Sequence, residues 1–134
     1  MPGIHLALEV VYMKVAIPLF GNRISPRFDF SPEVWIIELK DGEAATEEKL
    51  IMSNLNLLQR LDRLATEGVD KVICGGIDGY SLVQFGNRGI DVIHNVAGEA
   101  EEVLGLFKKG LLRSGSYCDR KKGRGFCGWR RRAK

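Results

Sequence analysis

The hydrophobic period of this chain changes once, and that change limits its fold more than any other feature. Ahead of it the apolar residues come in short extended runs. Lys14-Val-Ala-Ile-Pro-Leu-Phe20 reads as a buried strand, with Pro18 near its end, where a missing N–H is tolerated. Val34-Trp-Ile-Ile-Glu-Leu39 reads as a second strand. Asp41-Gly42 marks a hairpin turn, because glycine accepts the positive φ such turns need. The stretch from Glu43 to Ile51 alternates weakly and is expected to return antiparallel as an outer, half-wet strand. Past it, Leu55, Leu58, Leu61, Leu64 and Ala65 recur at helical spacing, from Asn54 as N-cap to Gly68 as C-cap.

Strands and helices then alternate. Val69 to Cys74 is a short apolar strand, followed by Gly75-Gly76 and a helix from Asp78 or Tyr80 to about Asn87. Ile90 to His94 is another strand. Glu99 to Lys109 is a last helix, with acids in its first turn and lysines in its last, as the macrodipole favours. The order β-β-β-α-β-α-β-α demands right-handed crossovers between parallel strands late in the chain and an antiparallel meander early on. The expected fold class is α/β, a mixed, roughly five-stranded sheet with helices on its faces.

At 134 residues there is room for one core of ordinary size. No apolar run nears the roughly 20 residues that cross a bilayer. Residues 1–12 carry Glu9 and no basic n-region, so they do not read as a secretory signal, and the expectation is a cytoplasmic protein with no membrane partner. Charge divides the chain. Residues 1–112 hold 11 basic and 16 acidic side chains, net −5; residues 113–134 hold nine basic side chains against Asp119, net +8. This sets out an extension (1–12), a folded domain (13–112) and a basic tail (113–134) expected to be mobile.

In open sheets of this kind ligands bind beyond the carboxyl ends of the parallel strands, so loops 21–31, 75–79 and 94–98 are expected to converge. Gly75 and Gly76 allow either close approach of an anionic ligand to backbone N–H groups or only a tight strand-to-helix turn. Neither a G-x-G-x-x-G dinucleotide fingerprint nor a P-loop is present. Cys74 reads as a core thiol or as a soft ligand for iron, copper or a sulfide cluster. Arg27 can clamp an anion or pair with Asp29, and His94 is a loop residue or a metal ligand. Cys118 and Cys127 match no standard zinc module, and two ligands leave a tetrahedral site open unless Cys74 or a second chain completes it. An odd cysteine count favours thiols or metal ligation over a disulfide framework. The basic tail, with Tyr117, Phe126 and Trp129 interleaved, also fits a nucleic-acid partner.

Taken in order, Met13-Lys-Val-Ala-Ile-Pro, Ile24-Ser-Pro-Arg-Phe-Asp29, Gly68-Val-Asp-Lys-Val-Ile-Cys-Gly-Gly-Ile77 and Gly89-Ile-Asp-Val-Ile93 before an acidic helix resemble one family. It is the dinitrogenase iron-molybdenum cofactor biosynthesis family, across residues 13–112. The resemblance implies a three-layer, ribonuclease-H-like fold and a non-enzymatic protein that binds or carries a metal–sulfur cluster or its precursor (iron, with molybdenum or copper). A cluster-donating or cluster-accepting protein, or a second copy of the chain, is the implied partner. In many relatives the loop reads Ser-x-His-Phe-Gly, its histidine a candidate ligand; here Arg27 and Asp29 stand in those places. The candidate cofactor-binding residues are Ser25, Arg27, Gly75, Gly76 and His94, and the candidate metal ligands Cys74, Cys118 and Cys127. A metal-dependent nuclease needs several carboxylates gathered around divalent metals about 4 Å apart. The first strand has no acid, and Asp29 and Asp78 are too few.

Overall fold

A computed structural model describes residues 10–119 and 126–129, the side chains of Tyr117, Asp119 and 126–129 excepted. The chain runs β1 (Tyr12–Phe20), β2 (Arg23–Ile24), β3 (Glu33–Lys40), β4 (Glu43–Ile51), α1 (Leu57–Thr66), β5 (Lys71–Ile73), α2 (Gly79–Asn87), β6 (Asp91–Ile93), β7 (Ala97–Gly98), α3 (Ala100–Lys108), β8 (Ser116–Asp119) and β9 (Phe126–Trp129). The main sheet has the order β4-β3-β1-β5-β6, with β2 folded back on the end of β1. Strand β3 is antiparallel to β1 and β4 is antiparallel to β3, whereas β1, β5 and β6 run parallel. The β3–β4 turn is the expected one, with Asp41 at φ 52° and Gly42 at φ 86°.

Strand side chains alternate between two apolar layers, as period 2 requires. Val15, Ile17, Leu19, Trp35, Ile37, Leu39 and Ile73 join Ala100, Val103 and Leu104 of α3 on one face. Ala16, Val34, Ile36, Val72 and Cys74 join Leu61 and Leu64 of α1 and Phe85 of α2 on the other. The molecule is therefore three layers thick, helix on sheet on helix.

Three expectations differ in detail. Helix α1 is capped by Asn56, not Asn54, in a reciprocal capping box with Gln59. That shift puts Arg60, Leu61 and Leu64 inward and leaves Leu58 exposed. Strand β4 is wetter than half-buried: Leu50 is its one partly buried residue, since charged side chains occupy both of its faces. The segment expected to be a mobile tail contains β8 and β9, which with β7 form a second, three-stranded sheet. Its basic residues 120–125 and 130–134, like residues 1–9 of the N-terminal extension, lie outside the described residues.

Candidate functional site

The three loops expected to meet do meet. The loop after β1 is stitched to the loop after β5 by Gly76 N–H donating to Pro26 C=O at 2.7 Å and Phe28 N–H to Gly76 C=O at 2.9 Å. The loop after β6 joins them through Asn95 N–H to Gly75 C=O and Val96 N–H to Cys74 C=O. Glycine is needed at position 75 for this contact: a Cβ there would collide with the Ser25 carbonyl and lie 2.8 Å from that of Pro26. The Gly75-Gly76 pair thus serves loop-to-loop packing, and the Gly76 N–H is already committed.

Ser25 is buried, and its hydroxyl donates to Arg27 C=O at 2.9 Å, tightening the loop. Phe28 is buried edge-to-face against Phe85, with ring centroids 5.4 Å apart. From beneath, Arg60 of α1, 4% exposed, donates to Ser31 C=O at 2.6 Å and to Ser31 Oγ at 3.1 Å, and its Nε to Leu55 C=O. Burial lowers the Arg60 pKa while the nearby Asp29 carboxylate raises it, and the group stays cationic near neutrality. Sequence reasoning overlooked Arg60. Its one signal was a basic residue on the inward stripe of an amphipathic helix, legible only once the helix start is fixed at Asn56.

The loop so braced presents a hollow of about 260 Å³ lined by Phe20, Ser25, Pro26, Arg27 and Phe30. Phe20 and Phe30 are each about two-thirds exposed. The Arg27 guanidinium lies over the Phe30 ring at 4.3 Å and forks onto Asp29, Nε to Oδ1 at 3.1 Å and Nη2 to Oδ2 at 2.8 Å. Of the two readings of Arg27, the pair with Asp29 is the one formed, and it sits at the edge of the hollow. The pair is open to water, so its net strength is small and a multiply charged anion can compete for the fork. A second hollow of about 250 Å³ lies elsewhere, lined by Trp35, Glu47, Lys49, Glu99 and Glu101 among others, with the Trp35 indole N–H donating to Glu47.

The remaining candidates are not brought to the rim together. Half-buried His94 is fixed through its backbone, its N–H donating to Ser114 Oγ and its C=O accepting from Gly115 N–H. Cys74 is fully buried in the α1/α2 layer, and desolvation pushes its thiol up to about 12, so it is held neutral. Cys118 is fully buried in the opposite, α3 layer, and it is disulfide-bonded. The sheet stands between these two sulfurs, so Cys74 does not complete a site with Cys118. Cys127 faces Cys118 in the β8–β9 ladder, and its side chain is outside the described residues. Among the described residues no three His, Cys, Asp or Glu side chains are placed to hold a metal ion. The donors on view fit a cluster held by charge and apolar contact better than one caged by soft ligands.

Fold and geometry together define a small three-layer α/β domain whose candidate site is a rim of arginine and aromatic side chains on loops beyond its parallel strands. The model of the dinitrogenase iron-molybdenum cofactor family matches residues 12–110, and the chain belongs to that family. Membership supports a role in iron-molybdenum cofactor biosynthesis and, by the family's name, an association with a metal–sulfur cluster. The uncharacterized protein MJ0580 of Methanocaldococcus jannaschii is 29% identical over 110 residues, 78% of this chain and 93% of that one. The crystal structure of PH0822 superposes with a TM-score of 0.72 at 22% identity, covering 76% of this chain and 94% of that one. Protein MJ0327 of M. jannaschii, described provisionally as a dinitrogenase, gives 0.65 at 22% identity over 76% and 93%. At such identities the structural likeness speaks for the fold. No helix among the described residues is long and apolar enough to cross a membrane.

Proposed function

We propose that this protein binds a metal–sulfur cluster, or a precursor of the iron-molybdenum cofactor, as a carrier and without catalysing a reaction on it. The observation that carries this reading is the Arg27 rim: a forked cation stacked on an exposed aromatic ring at the mouth of an apolar hollow, on a loop braced by buried hydrogen bonds. An anionic cluster would displace Asp29 from the guanidinium and rest its sulfur faces on Phe20 and Phe30. Family membership supplies the class of cargo. A carrier also needs a protein that donates the cluster and one that accepts it, and the exposed rim leaves the cargo within their reach. Gly75, Gly76 and Ser25 act in this reading as the frame of the site.

The reading as a non-enzyme is supported by how the acids are spent. Asp29 is paired with Arg27, and Asp78 caps α2 through Ser81, so neither belongs to a carboxylate cage. Loading the full chain with iron, molybdate and sulfide in the absence of oxygen tests the proposal. Metal and sulfide retained through gel filtration are expected, with occupancy lowered several-fold by Arg27→Ala and raised by Asp29→Asn. A protein that emerges colourless and metal-free, or an Arg27→Ala variant that loads fully, would sink it.

A further inference from the structure

The main sheet ends differently at its two edges. Just past β6 the chain closes on itself, with His94 N–H donating to Ser114 Oγ and His94 C=O accepting from Gly115 N–H. The β4 edge is open: among the described residues β4 pairs with β3 alone, and every residue of it but Leu50 is exposed. An outer strand leaves one row of backbone N–H and C=O groups without ladder partners. We propose that this edge docks an extended, basic segment of a partner protein, which adds as a further strand along Thr46–Ile51 and places a lysine or arginine in the hollow beside Trp35.

Register fixes which part of the edge is usable. Strand β4 follows β3 without interruption from Thr46, opposite Glu38, to Ile51, opposite Glu33, and the register shifts only beyond Glu38. The irregularity twists the far end of the ribbon, so the regular stretch is the half nearest the rim loops. Glu33 also pairs with Leu19, whose neighbour Phe20 lines the rim hollow. Alternation puts Glu47, Lys49 and Ile51 on the face of Trp35, and Thr46, Glu48 and Leu50 on the other.

On the Trp35 face, the hollow of about 250 Å³ lies between β4 and the start of α3. The Trp35 indole, 8% exposed, holds the Glu47 carboxylate there through a 3.1 Å hydrogen bond. Along strand and hollow together, Glu43, Glu47, Glu48, Glu99 and Glu101 stand against Lys49. Charges on an outer strand guard against indiscriminate pairing, and charges of one sign also select a partner. Cross-strand neighbours of opposite sign stabilise a pair, and like charges oppose it. Backbone hydrogen bonds would supply affinity, and the acidic, aromatic hollow would choose the side chain laid over it. The inference goes beyond the carrier reading by naming the chemistry of a partner, and rests on that reading only for what the partner does there.

Fluorescence anisotropy of a labelled peptide, three lysines alternating with three threonines, tests the docking on the full-length, metal-free protein. Binding at low salt is expected, about tenfold stronger than that of the same peptide with glutamate for lysine. Glu47→Lys should weaken it about tenfold, whereas Asp91→Lys, on the opposite edge, should change it by less than about twofold because salt screens distant charges. N-methylating the lysine amides of one peptide and the threonine amides of another blocks opposite edges of the added strand. One of these peptides should lose binding and the other keep it. No binding, equal losses from Glu47→Lys and Asp91→Lys, or equal behaviour of the two methylated peptides would overturn the proposal. So would a protein that is dimeric by itself and takes no peptide, which would give the edge to a second copy. Binding that appears only after Arg130→Ser, Arg131→Ser and Arg132→Ser would give it to the chain's own C-terminus, and also refutes the proposal. The methylated peptides leave the protein unaltered, so the test holds even if Glu47→Lys disturbs Trp35. Neither metal nor sulfide is present, so failure here leaves the Arg27 rim standing, and failure of cluster loading leaves the β4 edge standing.

Discussion

Arg60 shows how one side chain can hold a functional loop without appearing in any motif. Its guanidinium spans the Leu55 and Ser31 carbonyls, and removing it would leave a buried acceptor without its donor. Arg60→Ala is expected to cost about 2–3 kcal/mol in chemical denaturation, in the range of hydrogen bonds to charged groups. Arg60→Lys should recover only part, since an ammonium cannot span both carbonyls. Cys74 gives a pH signature. Its folded thiol titrates at about 12 against an ordinary 9.0, so between these values the unfolded chain has lost a proton that the native state keeps. The contribution is present in full below about pH 9 and is lost as pH rises toward 12. Denaturation midpoints of the wild type should fall over that window more steeply than those of Cys74→Ala. Asp78 has the opposite sign. Slight desolvation raises its pKa, but hydrogen bonds from the Ser81 N–H and hydroxyl and from local backbone N–H groups outweigh it and hold the carboxyl below its usual range. Its cap on α2 is complete above about pH 4 and weakens as pH falls through the depressed value; Asp78→Ala should cost about 1 kcal/mol at neutral pH and nothing in strong acid.

Among the elements, the loops carry the tightest steric constraints. Gly75 is not in a left-handed conformation; what excludes a larger residue is the backbone of Ser25 and Pro26 pressed against it. Gly75→Ala should push the rim loop away from β5, lower the melting temperature by several degrees and weaken cluster retention in the loading assay, while the helices and their circular dichroism persist. A substitution at Gly98 acts on the second sheet instead, because Cys118 lies where the new side chain would go. The strands and helices of the main sheet were largely legible beforehand. Val34–Leu39, the Asp41-Gly42 turn and the acidic start of α3 each carry strong local signals, and all three formed as expected. The start of α1 was misplaced by two residues because Asn54 and Asn56 are both good caps, and only Gln59, three residues after Asn56, closes the reciprocal pair. Strands β8 and β9 had no such signal. Glycines and basic residues surround them, and their order comes from the pairing of β8 with β7, a contact of high sequence separation, and of β9 with β8.

For the molecule as a whole, the C-terminal ribbon changes where the domain ends. Cys118 is part of the α3-side core with Val96, Val103 and Leu104, so the core does not close at residue 112. A chain cut after residue 112 is expected to lose about 1–3 kcal/mol of stability through the exposed apolar surface, and to show faster amide exchange in α3 than the full chain does. Equal stability of the two would show the ribbon to be an appendage. The sequence by itself determined the order of the long strands and helices around the main sheet, the parallel and antiparallel halves of that sheet, and the convergence of three loops beyond it, because hydrophobic period and crossover handedness depend on near neighbours. Which side chains share a site was decided by the tertiary structure. Residues 74 and 118 both looked like ligands in one dimension, yet strand alternation and helix placement set them in different layers, and no local pattern records on which side of a sheet a distant strand will pack.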